Sequence, residues 1–267
     1  MDEQTLKIIN PILIGGEAAL VVFFGILIFL AIGRRIGQRT IARDGAAGLA
    51  NGGSLETAVF AILGLLIAFT FSGALTRFDV RRAQIVDEAN AIGTAYLRID
   101  VLPSGAQPRL RQAFRDYVDA RIATYKKLPD VEAARNELVR SQELQADIWA
   151  QAVVASRTPD SRPGTEGLVL PALNEMFDIT TVRAMASQMH PPVIVFAMLI
   201  GLALASALLA GYQSAAAKAY HWVHQLGFAS IVAFTVFVIL DIEYPRLGWV
   251  RLDATDQVLV SVRASMK

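Results

Sequence analysis

Four long apolar runs interrupt a chain that is otherwise polar. They cover residues 11–33, 57–75, 193–211 and 222–240. Glu17 is the one charged residue inside them, and His224 is the one histidine. Each run has the about 17–25 residues that a helix needs to cross the hydrocarbon core of a bilayer. Because backbone polar groups in lipid must be satisfied within the segment, each run predicts a transmembrane helix.

The polar residues between the second and third runs are also predicted to be helical. Residues 78–101 continue the second run without a proline, so we expect one helix to pass from the apolar segment into the polar one. Asp130 is placed to cap a later helix, and no period-two alternation predicts a strand. Breaks in the helical pattern fall at residues 102–108, at Pro129, at 156–164 and at His190-Pro191-Pro192.

These elements predict an all-α integral membrane protein with four transmembrane helices arranged in two pairs. A helical soluble domain, residues 77–190, is expected between transmembrane helices two and three, and residues 241–267 form a C-terminal tail. Lysine and arginine near the helix ends are slightly more frequent on the side that holds the soluble domain. The positive-inside rule therefore favours a cytoplasmic soluble domain in a bacterial inner membrane.

Composition supports the membrane interpretation and excludes several classes of chemistry. The chain is 54% apolar and 18% charged, whereas about a quarter of the residues of a soluble domain are charged. The net charge of +1 gives no indication of nucleic acid binding, and the absence of cysteine excludes disulfides, thiolate nucleophiles and zinc–cysteine sites. The first ten residues are not basic, so no cleaved signal peptide is expected.

Catalytic signatures are absent from the sequence. It contains no phosphate-binding glycine loop, no HExxH motif and no nucleophile elbow. His221 and His224 share a helix face, but no third metal ligand lies near them in the sequence. We therefore expect no enzyme, no metal site and no cofactor.

Two rows of residues mark the second apolar run. Ala61, Leu65 and Phe69 are spaced by four and lie on one helix face. Such apolar side chains either ring a pore or face lipid and neighbouring helices. A second row of small residues allows close helix packing, although generic membrane packing explains it equally well; it consists of Gly64, Ala68 and Ser72.

Polar residues follow directly on the same predicted helix. They would line a vestibule or an intersubunit surface, and solvated ion pairs are the alternative for most of them. The candidates are Arg77, Asp79, Arg82, Asp87, Glu88 and Asn90.

Several motifs carry a resemblance to a known family. Leu65, Phe69 and the triplet Thr76-Arg77-Phe78 resemble the second helix of the bestrophins. The wider pattern resembles a bacterial membrane family described as bestrophin-like. The segments on which this resemblance is based are EANAIGTAYLRIDVLP (88–103), YVDAR (117–121), LNEMFDITTVRAM (173–185), PPVIVFAMLIG (191–201) and LDIEYPRLGWVRL (240–252).

This resemblance implies a homo-oligomeric ion channel in the lipid bilayer, with a pentamer favoured. By position, Ala61, Leu65 and Phe69 would form the neck of the pore, and apolar rings of this kind gate by dewetting. Bacterial bestrophins conduct cations, which favours monovalent cations as the permeant ions. The acidic run that binds calcium in animal bestrophins is replaced by scattered carboxylates such as Asp241 and Glu243, so we expect no calcium control.

Two other functions remain open at this point. One is a non-conducting membrane scaffold or sensor whose soluble helices bind a partner. The other is alternating-access transport, which calls for inverted repeats and broken helices that the sequence does not contain. Glu17 is a further candidate because a carboxylate inside an apolar run is costly, but its place near the start of the run lets it reach the interface.

Overall fold

The computed structural model describes residues 11–45, 53–128, 130–217, 222–246 and 248–267. Within these ranges the chain is helical and contains no strand, which confirms the predicted all-α class. The helices are α1 (Pro11–Asp44), α2 (Gly53–Arg98), α3 (Gln107–Lys126), α4 (Val131–Ser156), α5 (Thr165–Gln188), α6 (Val193–Gln213), α7 (Trp222–Glu243) and α8 (Asp253–Ser265).

Four helical segments are long and apolar enough to cross a membrane. They contain α1, α2, α6 and α7, in agreement with the four predicted runs. Helix α2 continues past the end of the second apolar run to Arg98 as a single helix of 46 residues, as predicted. The break at His190-Pro191-Pro192 is also confirmed, because α5 ends at Gln188 and α6 begins at Val193.

The described residues form two compact units. The apolar unit comprises the described residues of 11–77 and 190–244, and the polar unit those of 78–189 and 245–267. Helix α2 contributes residues to both. The sequence analysis predicts only a C-terminal tail at residues 241–267, but α8 lies there and buries Leu259 in the core of the polar unit.

Helix α1 organises the apolar unit by packing against α6 and α7. The contact with α6 is close because glycines stand where the two backbones meet. A Cβ atom on Gly33 would overlap the carbonyl oxygen of Leu208, and one on Gly211 would overlap that of Leu30. Small residues of this kind let membrane helices approach until their backbones touch.

The polar unit is a helical bundle with one continuous core. Helix α3 packs against α4 and α8, and α4 packs against α5. Fully buried side chains from α3, α4 and α5 meet in this core, among them Phe114, Ile148 and Met176. The predicted cap of α4 is confirmed, because a carboxylate oxygen of Asp130 accepts a 2.9 Å hydrogen bond from the amide of Ala133.

The backbone contact between α1 and α6 predicts the effect of a single methyl group. We expect Gly211→Ala to destabilise the protein by about 1–3 kcal/mol, because the added atom forces the two helices apart. Gly201 lies on the same helix, and a Cβ atom on it has no neighbour within 4 Å among the described residues. Gly201→Ala should therefore not destabilise the protein, since alanine is the better helix former. Thermal unfolding of the purified protein in detergent checks both variants, and equal midpoints would contradict the prediction.

Candidate functional site on helix α2

Helix α2 is the least covered of the four candidate spans. Only 11% of its most apolar stretch is buried, compared with 22–28% for the other three. Its covered side is narrow and consists of Leu63, Ala74 and an edge-to-face contact between the rings of Phe60 and Phe228, 5.4 Å apart. Most of the apolar surface of α2 is therefore left for lipid or for other chains.

The predicted neck row lies on this uncovered surface. Leu65 is 55% exposed and Phe69 is 67% exposed, and Ala61 is exposed as well. The second predicted row, Gly64 and its two neighbours Ala68 and Ser72, is also exposed. No atom of the described residues outside α2 lies within 4 Å of a Cβ atom built on Gly64. A single chain thus leaves both rows free, and their roles remain predictions.

The exposed positions of α2 continue past the apolar segment at helical spacing. Ala61, Leu65, Ser72, Asp79 and Asn90 are separated by four, seven, seven and eleven residues, which keeps them on one side of an uninterrupted helix. Asp79 and Arg82 are both exposed and lie 3.6 Å apart as an ion pair one turn along the helix. Asp87 and Asn90 are exposed as well.

Arg77, in contrast, is bound inside the chain. Its Nε atom lies 3.0 Å from both carboxylate oxygens of Glu243, and its Nη2 atom lies 2.7 Å from one of them. Glu243 is fully buried and also contacts Nδ1 of His190 at 3.0 Å. The ring of Tyr244 stacks on His190 with centroids 4.4 Å apart. Arg77 and Glu243 therefore form a partly buried, bidentate ion pair between α2 and the end of α7.

The next arginine on this side of α2 is also withdrawn. Arg81 is 7% exposed and donates hydrogen bonds to the carbonyl oxygens of Ala186 and Met189, at 3.2 and 3.0 Å. These carbonyls belong to the last turn of α5 and the residue that follows it. A guanidinium at a helix C-terminus satisfies the free carbonyls there and interacts favourably with the helix dipole.

Glu88 departs from the other members of the predicted vestibule set. The structure places its carboxylate in the interior of the polar unit, fully buried, where it receives 2.6 and 3.3 Å hydrogen bonds from Arg121. Arg183 donates a further hydrogen bond to the same carboxylate. A carboxylate buried among arginines of its own chain does not reach an exposed surface, whereas Asp79, Arg82, Asp87 and Asn90 do.

A larger ionic cluster surrounds this carboxylate. Guanidinium groups of three arginines lie over the ring of Tyr125, with centroid distances of 5.3 Å for Arg121 and 4.3 Å for both Arg183 and Arg246. Arg246 is paired with Asp256 at 2.6 Å. Burial raises the pKa of Glu88, but the charges and hydrogen bonds of Arg121 and Arg183 outweigh it and hold that pKa below its usual value.

Sequence reasoning missed most of these partners, although one signal was available. Arg77, Arg81 and Glu88 are separated by four and seven residues, and this side of α2 also carries the buried residues Ala74 and Ile85. Charges that share a helix side with buried apolar residues indicate buried pairs. The identity of the partners was not readable, because Glu243 lies 166 residues from Arg77. Among the described residues, no three histidine or acidic side chains converge as a metal site would require.

The buried position of Glu88 predicts a large loss of stability on neutralisation. We expect Glu88→Gln to lower the free energy of unfolding by about 3–5 kcal/mol, since the amide leaves two buried guanidinium groups without their counter-charge. Asp79→Asn removes a carboxylate from an exposed ion pair and should cost less than about 1 kcal/mol. Denaturant titration followed by circular dichroism measures both, and similar losses for the two variants would contradict the buried pairing.

The same carboxylate predicts a pH dependence of stability. Because the pKa of Glu88 is lower in the folded than in the unfolded chain, its contribution is present above the unfolded value of about 4.3 and declines as the pH falls further. The stability difference between wild type and Glu88→Gln should therefore be constant from pH 7 to 5 and shrink below about pH 4. A difference that stays constant down to pH 3 would rule out this linkage.

Comparison with known proteins identifies the family. The family model of the bestrophin-like domain matches residues 19–255, which include the whole of α2 and the partners of its charged residues, Arg121, Arg183 and Glu243. No curated protein and no solved structure shows a significant match. The family suggests a function of the ion-channel kind. The chain therefore belongs to the bestrophin-like family.

Proposed function

We propose that this chain is one subunit of a homo-oligomeric channel for small monovalent ions, with α2 lining the conduction path. The observation that carries the proposal is the exposed side of α2, which is apolar at Leu65 and Phe69 and from Asp79 onward carries Asp79, Arg82, Asp87 and Asn90 interspersed with Val86 and Leu97. Membership of the bestrophin-like family supports the same class of function. The proposal includes no catalysed reaction and no cofactor.

The length of α2 suits a helix that lines both a membrane pore and its soluble extension. Its 46 residues span about 69 Å at 1.5 Å per residue, more than twice the about 30 Å of a hydrocarbon core. One side of this helix is used by the chain itself, through Leu63 and Ala74 first and through Ile85 and Ile92 later. The other side is free for an ion path or a neighbouring copy.

Leu65 and Phe69 would form the narrow part of the path. Apolar side chains that ring a constriction exclude water and so close it to ions unless it widens. Gly64, Ala68 and Ser72 lie beside this row and would let α2 of the neighbouring subunit approach closely. We propose a pentamer in a bacterial inner membrane, with the polar unit in the cytoplasm, where the slight excess of basic residues favours it.

Ion flux into liposomes tests the neck assignment. We expect Leu65→Ala and Phe69→Ala to raise flux severalfold, because smaller side chains widen the constriction and lower the barrier to wetting. Leu20→Ala and Phe24→Ala are matched controls on α1, since these side chains are 57% and 56% exposed and should not affect flux. The measurement uses the purified full-length chain in lipid vesicles with a potassium gradient.

Each outcome of the flux measurement leads to a different conclusion about the proposed channel. Flux in wild type that rises only in the α2 variants supports a neck at Leu65 and Phe69. Flux that is the same in all five proteins retains the channel and removes the neck from this row. No flux from any of them overturns the channel, and the non-conducting scaffold or sensor becomes the better explanation of the exposed surface of α2.

A further inference from the structure

The charges next to the apolar segment of α2 are distributed unequally around the helix. The two arginines on the covered side are occupied, Arg77 by the carboxylate of Glu243 and Arg81 by backbone carbonyls. On the exposed side, Asp79 pairs with Arg82. Asp87 is exposed and has no ion pair among the described residues. The exposed side therefore carries a net negative charge, with two carboxylates and one arginine, although residues 77–88 of α2 contain three of each.

Resting on the channel function proposed above, we propose that Glu243 is a positioning residue that sets the ion selectivity of the path along α2. Its carboxylate holds and neutralises the guanidinium of Arg77. The exposed charges Asp79, Arg82 and Asp87 then leave a net negative field beyond the apolar segment, and cations are preferred over anions.

The field of the positive charge on Arg77 can be cancelled only by a nearby negative charge. A guanidinium remains protonated at every pH at which a protein is folded, so only a counter-charge can cancel its field. Glu243 supplies that counter-charge with two-point geometry, through contacts of 3.0 and 2.7 Å. Bidentate pairing of this kind fixes the direction of the guanidinium as well as its charge.

Glu243 cannot act on a passing ion by contact. It is fully buried in the apolar unit, at the last residue of α7. His190 contacts the same carboxylate at 3.0 Å and is stacked on Tyr244, so two elements besides α2 hold the carboxylate in place. In the proposal, the influence of Glu243 on permeation passes through Arg77, whose side chain is about one third exposed.

Loss of the carboxylate charge would add a positive charge to every subunit just beyond the apolar segment. Arg77 lies eight residues, about two helical turns, after Phe69. In an oligomer these charges form a ring, and a ring of one sign at a narrow opening lowers the local concentration of ions of the same sign. The preference for cations should then fall or reverse.

Reversal potentials test this inference with a double-mutant design. The purified full-length chain is reconstituted in planar bilayers under a KCl gradient, and the potassium-to-chloride permeability ratio is measured. We expect Glu243→Gln to lower this ratio by about tenfold, at the lower end of the effect that fixed charge has on local ion concentration. Arg77→Gln should keep the cation preference, and Arg77→Gln combined with Glu243→Gln should restore a ratio close to that of wild type.

The two single variants separate the released charge from structural damage. Damage caused by breaking the pair would lower the ratio in both Arg77→Gln and Glu243→Gln, whereas a released positive charge lowers it in Glu243→Gln alone. Glu243→Asp keeps the charge and should retain the wild-type ratio. Asp253→Asn is a control, because it removes a carboxylate from an exposed ion pair with Arg251 outside α2 and should not change the ratio.

Substitutions at exposed positions provide a second test of the inference, which does not depend on replacing a buried residue. If Glu243→Gln fails to assemble, Asp79→Asn combined with Asp87→Asn is expected to lower the permeability ratio, and an unchanged ratio overturns the inference. An unchanged ratio in assembled Glu243→Gln, or a double variant as impaired as that single variant, also overturns it. A wild-type protein that conducts no ions overturns the proposed channel function. A protein that conducts but whose selectivity does not change overturns only the role of Glu243.

Discussion

Helix α2 has to satisfy an apolar and a polar environment along one uninterrupted run of 46 residues, and this constraint decides which of its side chains must be paired within the chain. Its covered side is apolar at Leu63 and Ala74 and then carries Arg77, Arg81 and Glu88. Buried charges are tolerated only when they are paired or hydrogen-bonded. Arg77 is bound by Glu243 of α7, Arg81 by carbonyls at the end of α5, and Glu88 by arginines of α3 and α5.

Two carboxylates, Glu88 and Glu243, are fully buried, and each is held by two nitrogen-bearing side chains. Burying ions in this way adds little net stability, because desolvation offsets most of the attraction between them. Their value lies in geometry. A misplaced α2 would leave these charges unpaired at a cost of several kcal/mol, whereas a displaced apolar contact is easily replaced by another. The ion pairs therefore fix the rotation of α2, and with it the residues that remain exposed.

The sequence was sufficient for the parts of the fold that depend on local physics. Run length predicted the four candidate spans, the lack of proline after Leu75 predicted the long α2, and Asp130 predicted a helix start. The ion-pair partners of the charged residues of α2 could not be predicted from the sequence, because Arg183 and Glu88 are 95 residues apart and nothing local distinguishes this arginine from an exposed one. Helix α8 was missed since its few apolar residues become informative only when Leu259 is seen in the core.

Exposure of Leu65 and Phe69 does not by itself separate a pore from a lipid contact, because apolar side chains suit both. The arginines that follow are more informative. A helix that faces lipid commonly extends the arginines near its end toward the headgroups, where the charge is solvated and the stem covers apolar surface. Arg77 and Arg81 are instead turned into the chain and bound by Glu243 and by backbone carbonyls. This binding draws positive charge away from the exposed side of α2, and along the proposed path it would remove a barrier to cations.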